Sequence, residues 1–354
     1  MSRAYSQAER LKPKAQSPKP KAESPKPKAQ SPKPKAQSLT AIGMIGLGIM
    51  GSAMAANLIR AGYAVIGYDV VAARRRDHVR AGGRAARSAR DVANAAGVVI
   101  CSLPSAAALL AVAEELRSRK PEGLRLPAGA RLAGVQRGRR IVIETSTLPI
   151  AVKEEARRRM AAVGTILLDC PLSGTGGQAR AGDVIVYASG LRRAYRTVTP
   201  VMEAFARAHY YIGPFGAGSK MKFVANLLVA IHNVAAAEAM VLAMKAGLDP
   251  AMTLKVIADG AGSSRMLQVR GPMMVRGDYS EAMITLSVWA KDMTIIGDFA
   301  RQVGCPTPLF AATAPIYMSA VAMGREAEDT AAVCAVLEEL ANHRRRLPRR
   351  RRRS

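Results

Sequence analysis

A cluster of glycines has the spacing of a turn that binds phosphate. The segment Gly46-Leu47-Gly48-Ile49-Met50-Gly51 follows a β-like run and opens a helix, in the pattern G-x-G-x-x-G. In this pattern the first glycine allows a tight turn, the second lets the backbone approach a pyrophosphate, and the third allows the helix to pack closely on the strand. We predict that all six residues bind a dinucleotide. A purely structural glycine turn is the alternative.

An acidic residue follows at the position expected for a ribose contact. Asp69 ends the next β-like run, 23 residues after Gly46, where a carboxylate can hold the adenosine ribose. This carboxylate would repel a 2′-phosphate and so slightly favours NAD. The arginines at 74–76 can accept such a phosphate, or they can form a solvated helix face. The sequence therefore leaves the choice between NAD and NADP open.

The elements that position these residues alternate along the chain, which predicts a parallel sheet with crossover helices. Strands are predicted at 41–46, 64–69, 97–102, 140–144, 165–169 and 183–188, and helices at 49–61, 88–95, 105–118 and 150–163. From Ser219 to Ala246 the sequence has no Pro and is apolar nearly all round, which predicts a long buried helix. Further helices are predicted at 250–260, 281–303 and 307–323. The predicted fold class is α/β, a Rossmann-type doubly wound sheet followed by an all-α second domain.

Composition divides the chain into four parts. We predict a disordered Lys/Pro repeat tail at 1–40, a dinucleotide-binding domain at 41–215, an all-α domain at 216–340, and an Arg-rich tail at 341–354. The net charge of +27 is concentrated in the tails, since 1–40 holds ten Lys or Arg against two Glu and 341–354 holds eight Arg and no acid. The tails therefore suggest nonspecific contact with polyanions. The basic stretch 116–140 is predicted to be an exposed loop without a catalytic role.

The four cysteines lie far apart and form no Cys-x-x-Cys pair, so we predict neither a disulfide framework nor a metal site. No signal peptide is visible, and the most apolar stretch, 223–244, is interrupted by polar residues. We expect a cytoplasmic protein without a membrane span.

The segment from Gly46 to Asn57, GLGIMGSAMAAN, combines the glycine loop with a Met and an Asn that other dinucleotide folds do not require. With the motifs below, it resembles the β-hydroxyacid dehydrogenase family, and the likeness extends from Ile42 to about Leu340. The resemblance implies that the all-α domain at 216–340 binds substrate and mediates dimerisation, and that the protein is a homodimer or homotetramer.

Two loops at strand ends match this family. The resemblance places Leu103 and Pro104 of CSLPS, and Thr147 of ETSTLP, against the cofactor, with the nicotinamide between the two loops. The ends of parallel strands are where an open α/β sheet binds ligands. Ordinary turns with helix caps are the alternative.

The segment DCPLSGTGG resembles the family's substrate loop, in which a Ser hydroxyl and glycine amides bind the substrate carboxylate. The resemblance assigns Ser173, Gly174 and Thr175 to substrate binding. Thr175 departs from the commoner second glycine, which puts the third contact in doubt. A strained turn or bulge is the alternative.

The segment GAGSKMKFVAN resembles the motif that carries the family's catalytic lysine. The resemblance assigns Lys222 as general acid/base and Asn226 as its hydrogen-bonding partner, and their spacing of four puts both on one helix face. A cationic lysine beside a carbonyl oxygen both stabilises the developing alkoxide and supplies its proton. Lys291, in a Lys-Asp pair, is expected to reach across the cleft toward cofactor or substrate, although a local ion pair is the alternative.

The predicted function is reversible hydride transfer between nicotinamide and a small β-hydroxy acid such as 3-hydroxyisobutyrate. Two other functions stay open. One is a noncatalytic dinucleotide-binding protein tethered to nucleic acid by its basic tails, and the other is an imine reductase on the same scaffold.

Overall fold

The computed structural model describes residues 41–117 and 140–345. The predicted Lys/Pro tail, nearly all of the 116–140 stretch and the Arg run from residue 346 onward lie outside the described residues.

In the described ranges, nine strands form one sheet. They are β1 (Ala41–Ile45), β2 (Ala64–Tyr68), β3 (Arg84–Ala85), β4 (Val98–Cys101), β5 (Ile141–Glu144), β6 (Ile166–Asp169), β7 (Leu172–Ser173), β8 (Ile185–Ser189) and β9 (Ala208–Gly213). Their spatial order is β3-β2-β1-β4-β5-β6-β8-β7, and β9 pairs with β8. Strands β1 to β6 are parallel to one another, whereas β8 runs antiparallel to β6 and β7.

The sheet order reverses beside its first strand. The chain passes from β1 to β2 and β3 on one side and then crosses to β4 on the other. Ligands of open α/β sheets bind at such a reversal, beyond the carboxyl ends of the strands. All residues of β1, β4 and β5 are buried, as expected for central parallel strands that helices cover on both faces.

Seven helices accompany the sheet within the described ranges. They are α1 (Ile49–Arg60), α2 (Ala72–Arg80), α3 (Ala89–Ala95), α4 (Ala106–Arg117), α5 (Ile150–Ala161), α6 (Gly176–Arg180) and α7 (Arg192–Glu203). Two clusters of buried aliphatic residues pack between the sheet and these helices.

The chain then becomes helical. The helices are α8 (Ala217–Lys245), α9 (Pro250–Asp259), α10 (Arg265–Arg276), α11 (Leu286–Gln302), α12 (Pro308–Ala322) and α13 (Val333–Leu340), with a short 3₁₀ helix at Thr330–Ala332. Helix α8 contacts β8 and β9 near its start and α10 to α13 along its length. A third core cluster, around Trp289 and Phe310, fills the space between these helices.

Helix α8 was predicted to be buried, but one side of it is exposed. Near its start, the exposed apolar residues Met221, Val224 and Leu228 recur every three to four positions. Leu242 is exposed near its end. Among the described helices, α8 has the length and apolar character to cross a membrane, yet half of its most apolar window is buried inside the protein. It is therefore a core helix with one uncovered apolar stripe.

The predicted fold class is confirmed. The predicted strands match β1, β2, β4, β5, β6 and β8 within two residues at each end. The helix predicted from residue 281 begins only at Leu286, because Thr285 accepts a hydrogen bond from the Val288 N–H and caps it. The boundary between the two domains, predicted between residues 215 and 216, stays a prediction.

Candidate active site

The glycine loop has the shape that its spacing predicts. Gly46 has φ +89°, and a Cβ on Gly51 would lie 1.9 Å from the carbonyl oxygen of Gly46. A Cβ on Gly48 would meet no atom within 4 Å, so open space faces this residue. Gly48 is also the N-cap of α1 and has no side chain to bond the first-turn N–H groups. These donors and the positive helix end suit the pyrophosphate of a dinucleotide.

The Asp69 carboxylate is hydrogen-bonded to this loop. Its Oδ2 accepts the Leu47 N–H at 2.8 Å, and its Oδ1 accepts the Val71 N–H at 2.8 Å. Arg74 lies 3.4 Å from the same carboxylate, and Arg75 donates to the backbone oxygen of Asp69. The carboxylate therefore stands beside the glycine loop as predicted from the spacing, with an arginine partly balancing its charge.

The two strand-end loops meet. The backbone N–H of Leu103 donates to the Ser146 hydroxyl oxygen at 2.8 Å, which links the loop after β4 to the loop after β5. Pro104 is exposed, whereas Leu103 and Thr147 are half-buried. The structure thus brings the three predicted nicotinamide contacts to one edge of the sheet.

Lys291 reaches from α11 to these loops. Its ammonium donates to the Thr147 carbonyl oxygen at 2.5 Å and lies 3.2 Å from the Asp292 carboxylate. Lys291 thus crosses from α11 to the loop after β5 and also pairs with its neighbour, and its contact with cofactor or substrate stays a prediction.

Lys222 lies in the second turn of α8, close to Lys291 and Asp292 of α11. Burial lowers the pKa of Lys222 to about 8, Lys291 acts in the same direction, and Asp292 opposes the shift. Over residues 41–117 and 140–345 the Lys222 ammonium has no hydrogen-bond or ion-pair partner. A half-buried amine of this kind is available for a substrate oxygen.

Asn226 does not bond Lys222, contrary to what the resemblance implies. Its side-chain amide donates to Asp292 Oδ2 at 2.9 Å. The spacing of four places Lys222 and Asn226 on one face, but the Asn226 amide N–H needs an acceptor, which the carboxylate on α11 offers and an ammonium does not. Asn226 therefore holds Asp292, and Asp292 in turn acts electrostatically on Lys222.

The predicted substrate loop forms a tight turn after β7. Gly174 has φ +142°, a conformation that favours glycine. Thr175 caps α6, because its N–H donates to Gln178 Oε1 at 3.0 Å and its Oγ1 accepts the Gln178 N–H at 3.3 Å. The polar groups of Thr175 are thus engaged locally. The pattern Thr-x-x-Gln in the sequence is the signal that predicts this capping box.

Sequence reasoning missed a charged cluster beneath the site. Lys153, Glu144 and Asp169 are fully buried, with the Lys153 ammonium 2.6 Å from Glu144 and 2.8 Å from Asp169. The available signal was periodicity, since Lys153 shares the buried face of α5 with Ala156 and Met160. Within the described ranges, no three His, Cys, Asp or Glu side chains group as metal ligands.

Comparison with known proteins identifies the family. Residues 41–213 match the NAD binding domain of 6-phosphogluconate dehydrogenase, and residues 216–337 match the NAD-binding domain of NADP-dependent 3-hydroxyisobutyrate dehydrogenase. The L-threonate dehydrogenase of Cupriavidus necator is 33% identical over 83% of this chain and 95% of its own length. The chain belongs to the β-hydroxyacid dehydrogenase family.

Solved structures agree with this assignment. The 3-hydroxyisobutyrate dehydrogenase of Salmonella typhimurium superposes with a TM-score of 0.72 at 30% identity, covering 84% of this chain and 99% of its own. That of Mycobacterium tuberculosis, described with L-serine, gives 0.71 at 27% identity, with the same coverage. The predicted family, the NAD(P)-dependent enzyme class acting on CH–OH groups, and the cofactor pair NAD or NADP are confirmed for this β-hydroxyacid dehydrogenase.

Proposed function

We propose that this chain reversibly oxidises a small β-hydroxy acid of the 3-hydroxyisobutyrate or threonate type, with Lys222 as general acid/base. The observation that carries the proposal is the half-buried Lys222 ammonium with a pKa of about 8, beside the Lys291–Thr147 contact. The names of the relatives support the substrate class.

The residues of the sheet edge fit a dinucleotide. We assign the pyrophosphate to the glycine loop at 46–51, the adenosine ribose to Asp69, and the nicotinamide to Leu103, Pro104 and Thr147. The open space at Gly48 supports this assignment. The bound nicotinamide would supply the acceptor and donor of the hydride. Lys291, fixed on Thr147, would border the cofactor.

Lys222 transfers the proton of the substrate hydroxyl. In oxidation, the neutral amine takes the hydroxyl proton as the carbinol C–H hydride leaves for the cofactor and the carbonyl forms. In reduction, the ammonium returns that proton to the alkoxide. A pKa near the working pH makes both forms accessible, as general acid/base catalysis requires. Asn226 contributes by holding the Asp292 carboxylate, which keeps the Lys222 pKa from falling further.

The substrate carboxylate is assigned to the Ser173 hydroxyl and the turn at Gly174. The capping box of Thr175 supports a role in shaping this turn. A direct contact from Thr175 to substrate would require the box to open.

We further propose a homo-oligomer, because the apolar residues Met221, Val224 and Leu228 are exposed on successive turns of α8 in a single chain, and exposed apolar surface commonly marks an interface. A cytoplasmic location and contacts of the basic tails with polyanions also belong to the proposal.

The deciding experiment is a spectrophotometric panel of 3-hydroxyisobutyrate, threonate, glycerate and phenylserine with NAD and NADP, and of cyclic imines with NADH and NADPH. Turnover of hydroxy acids that is lost in Lys222→Ala and kept in Lys220→Ala supports the proposal, because Lys220 is exposed on the same helix. Turnover of imines alone would favour an imine reductase. No turnover together with tail-dependent binding of nucleic acid would favour the noncatalytic protein.

A further inference from the structure

The buried cluster beneath the site holds more acid than base. Lys153, Glu144 and Asp169 each have no solvent exposure, and two carboxylates face a single ammonium. Burial alone would lower the pKa of Lys153, but Asp169 and Glu144 raise it above its ordinary value, so the lysine stays charged. Removing three charges from water is costly unless each one is closely paired and hydrogen-bonded.

One arm of the cluster fixes the strand-end loops. The Lys153 ammonium donates to the Ser146 carbonyl oxygen at 2.6 Å, and Glu144 Oε1 accepts the Ser146 N–H at 2.9 Å. The hydroxyl of the same serine accepts the Leu103 N–H. The N–H, the carbonyl oxygen and the hydroxyl oxygen of Ser146 are therefore all hydrogen-bonded. Both loops that are assigned to the nicotinamide depend on the position of this serine.

The other arm fixes the start of α8. Asp169 accepts the N–H and the hydroxyl of Ser219, each at 2.8 Å. The N-cap of α8 is Gly216, which has no side chain, so a carboxylate from β6 performs the capping. The positive end of the helix offsets the surplus negative charge of the cluster. Lys222 follows Ser219 by three residues.

The start of α8 also packs closely against the sheet. A Cβ on Gly218 would lie 2.2 Å from the Tyr187 carbonyl oxygen and 2.8 Å from that of Asp169. Glycine at this position allows the helix to approach closely enough for the hydrogen bonds to Asp169.

We propose that Lys153 is a positioning residue which, through Ser146 and Asp169, sets the distance between the nicotinamide loops and the Lys222 ammonium. Lys153 is fully buried and acts on the reaction only through these partners. This inference rests on the proposed function of Lys222.

The test is the double variant Lys153→Met/Glu144→Gln. The wild-type cluster has a formal charge of −1, and the variant keeps −1 on Asp169, so the cap of α8 is retained while the bridge to Ser146 is lost. We expect a folded protein that binds the dinucleotide with an affinity within about threefold of wild type and whose kcat is roughly 100-fold lower, the scale of a small misplacement of reacting groups. Lys220→Ala is the surface control.

A second readout does not need turnover. The titration of Lys222, followed by NMR after ¹³C-methylation of lysines and assigned by its loss in Lys222→Ala, should move upward in the variant as the amine gains water. Asp292 and Lys291 are the charged groups that face it. If the wild type turns over no hydroxy acid, the proposed function fails, and this titration still tests the positioning.

Unchanged kcat and unchanged titration in a folded variant would overturn the inference. If the double variant does not fold, Ser219→Ala decides, since it removes one hydrogen bond to Asp169 and keeps the charges. A lower kcat with an upward shift of the Lys222 titration supports the inference, and wild-type values for both overturn it.

Discussion

The side-chain amide of Asn226 holds the carboxylate of Asp292 at 2.9 Å, across the gap between α8 and α11. The Asp292 carboxylate pairs directly with Lys291 and raises the pKa of Lys222 without an ion pair to it. The pKa of Lys222, the proposed acid/base residue, is thus shifted by a neighbour that it does not contact.

Activity should depend on pH through Lys222. The pKa of Lys222 is lowered to about 8, so oxidation, which needs the neutral amine, should rise with pH through a limb near 8, and reduction should fall through the same limb. Profiles of kcat in both directions check this. A flat profile between pH 7 and 9 in both directions would contradict it.

Asp292→Asn should move that limb to lower pH. The Asp292 carboxylate raises the pKa of Lys222, and the amide removes its charge while keeping its shape. Asp298→Asn is the matched control, because Asp298 is exposed on the same helix and pairs with Arg301. If the activity limb lies at the same pH in Asp292→Asn and Asp298→Asn, Asp292 does not set the pKa of Lys222.

Lys222→Met should stabilise the protein while it abolishes activity. The folded state lowers the pKa of Lys222 below its ordinary value of 10.5, so folding opposes its charged form below pH 8 and this cost fades as pH rises toward 10.5. We expect the free energy of unfolding at pH 7 to rise by roughly 1 to 3 kcal/mol. Denaturant titrations at pH 7 and 10 measure it, and the gain should be smaller at pH 10.

Gly48→Ala and Gly51→Ala should separate binding from folding. A Cβ meets open space at Gly48 but lies 1.9 Å from a carbonyl oxygen at Gly51. Gly48→Ala should therefore keep its melting temperature and lose dinucleotide affinity, whereas Gly51→Ala should lower the melting temperature. Thermal melts and titrations with NADH report the two effects. Unaltered affinity in Gly48→Ala would place the pyrophosphate elsewhere.

Arg74→Ala should sharpen the preference for NAD over NADP. Arg74 partly balances the Asp69 carboxylate, and without it the bare charge repels a 2′-phosphate more strongly. The ratio of kcat/KM for the two cofactors measures the change. Arg80→Ala is the control, since Arg80 is exposed on α2 and pairs with Asp77. A ratio that moves toward NADP would contradict this role for Arg74.

Much of the fold could be predicted from the sequence, because the central strands β4 and β5 each begin with three consecutive Val or Ile residues. Helix α7 was missed because Pro200 and several charged residues hide its apolar face. Strand β9 was missed because Tyr and His break the aliphatic pattern.

The site was less predictable than the fold. The spacing of the glycine loop is a local property, so its geometry followed from the sequence. The contacts of Asn226 with Asp292 and of Lys153 with Asp169 join segments far apart in the chain, and no periodicity reveals which acceptor a side chain will choose.

The start of α8 on the sheet has an evolutionary consequence. Lys222, the proposed acid/base residue, keeps its position relative to the strands, because Asp169 and the close approach at Gly218 fix the start of its helix on the sheet. Helices α9, α10 and α12 can therefore diverge to admit a different acid, whereas α11 must keep Asp292 for proton transfer to be inherited with the same pKa.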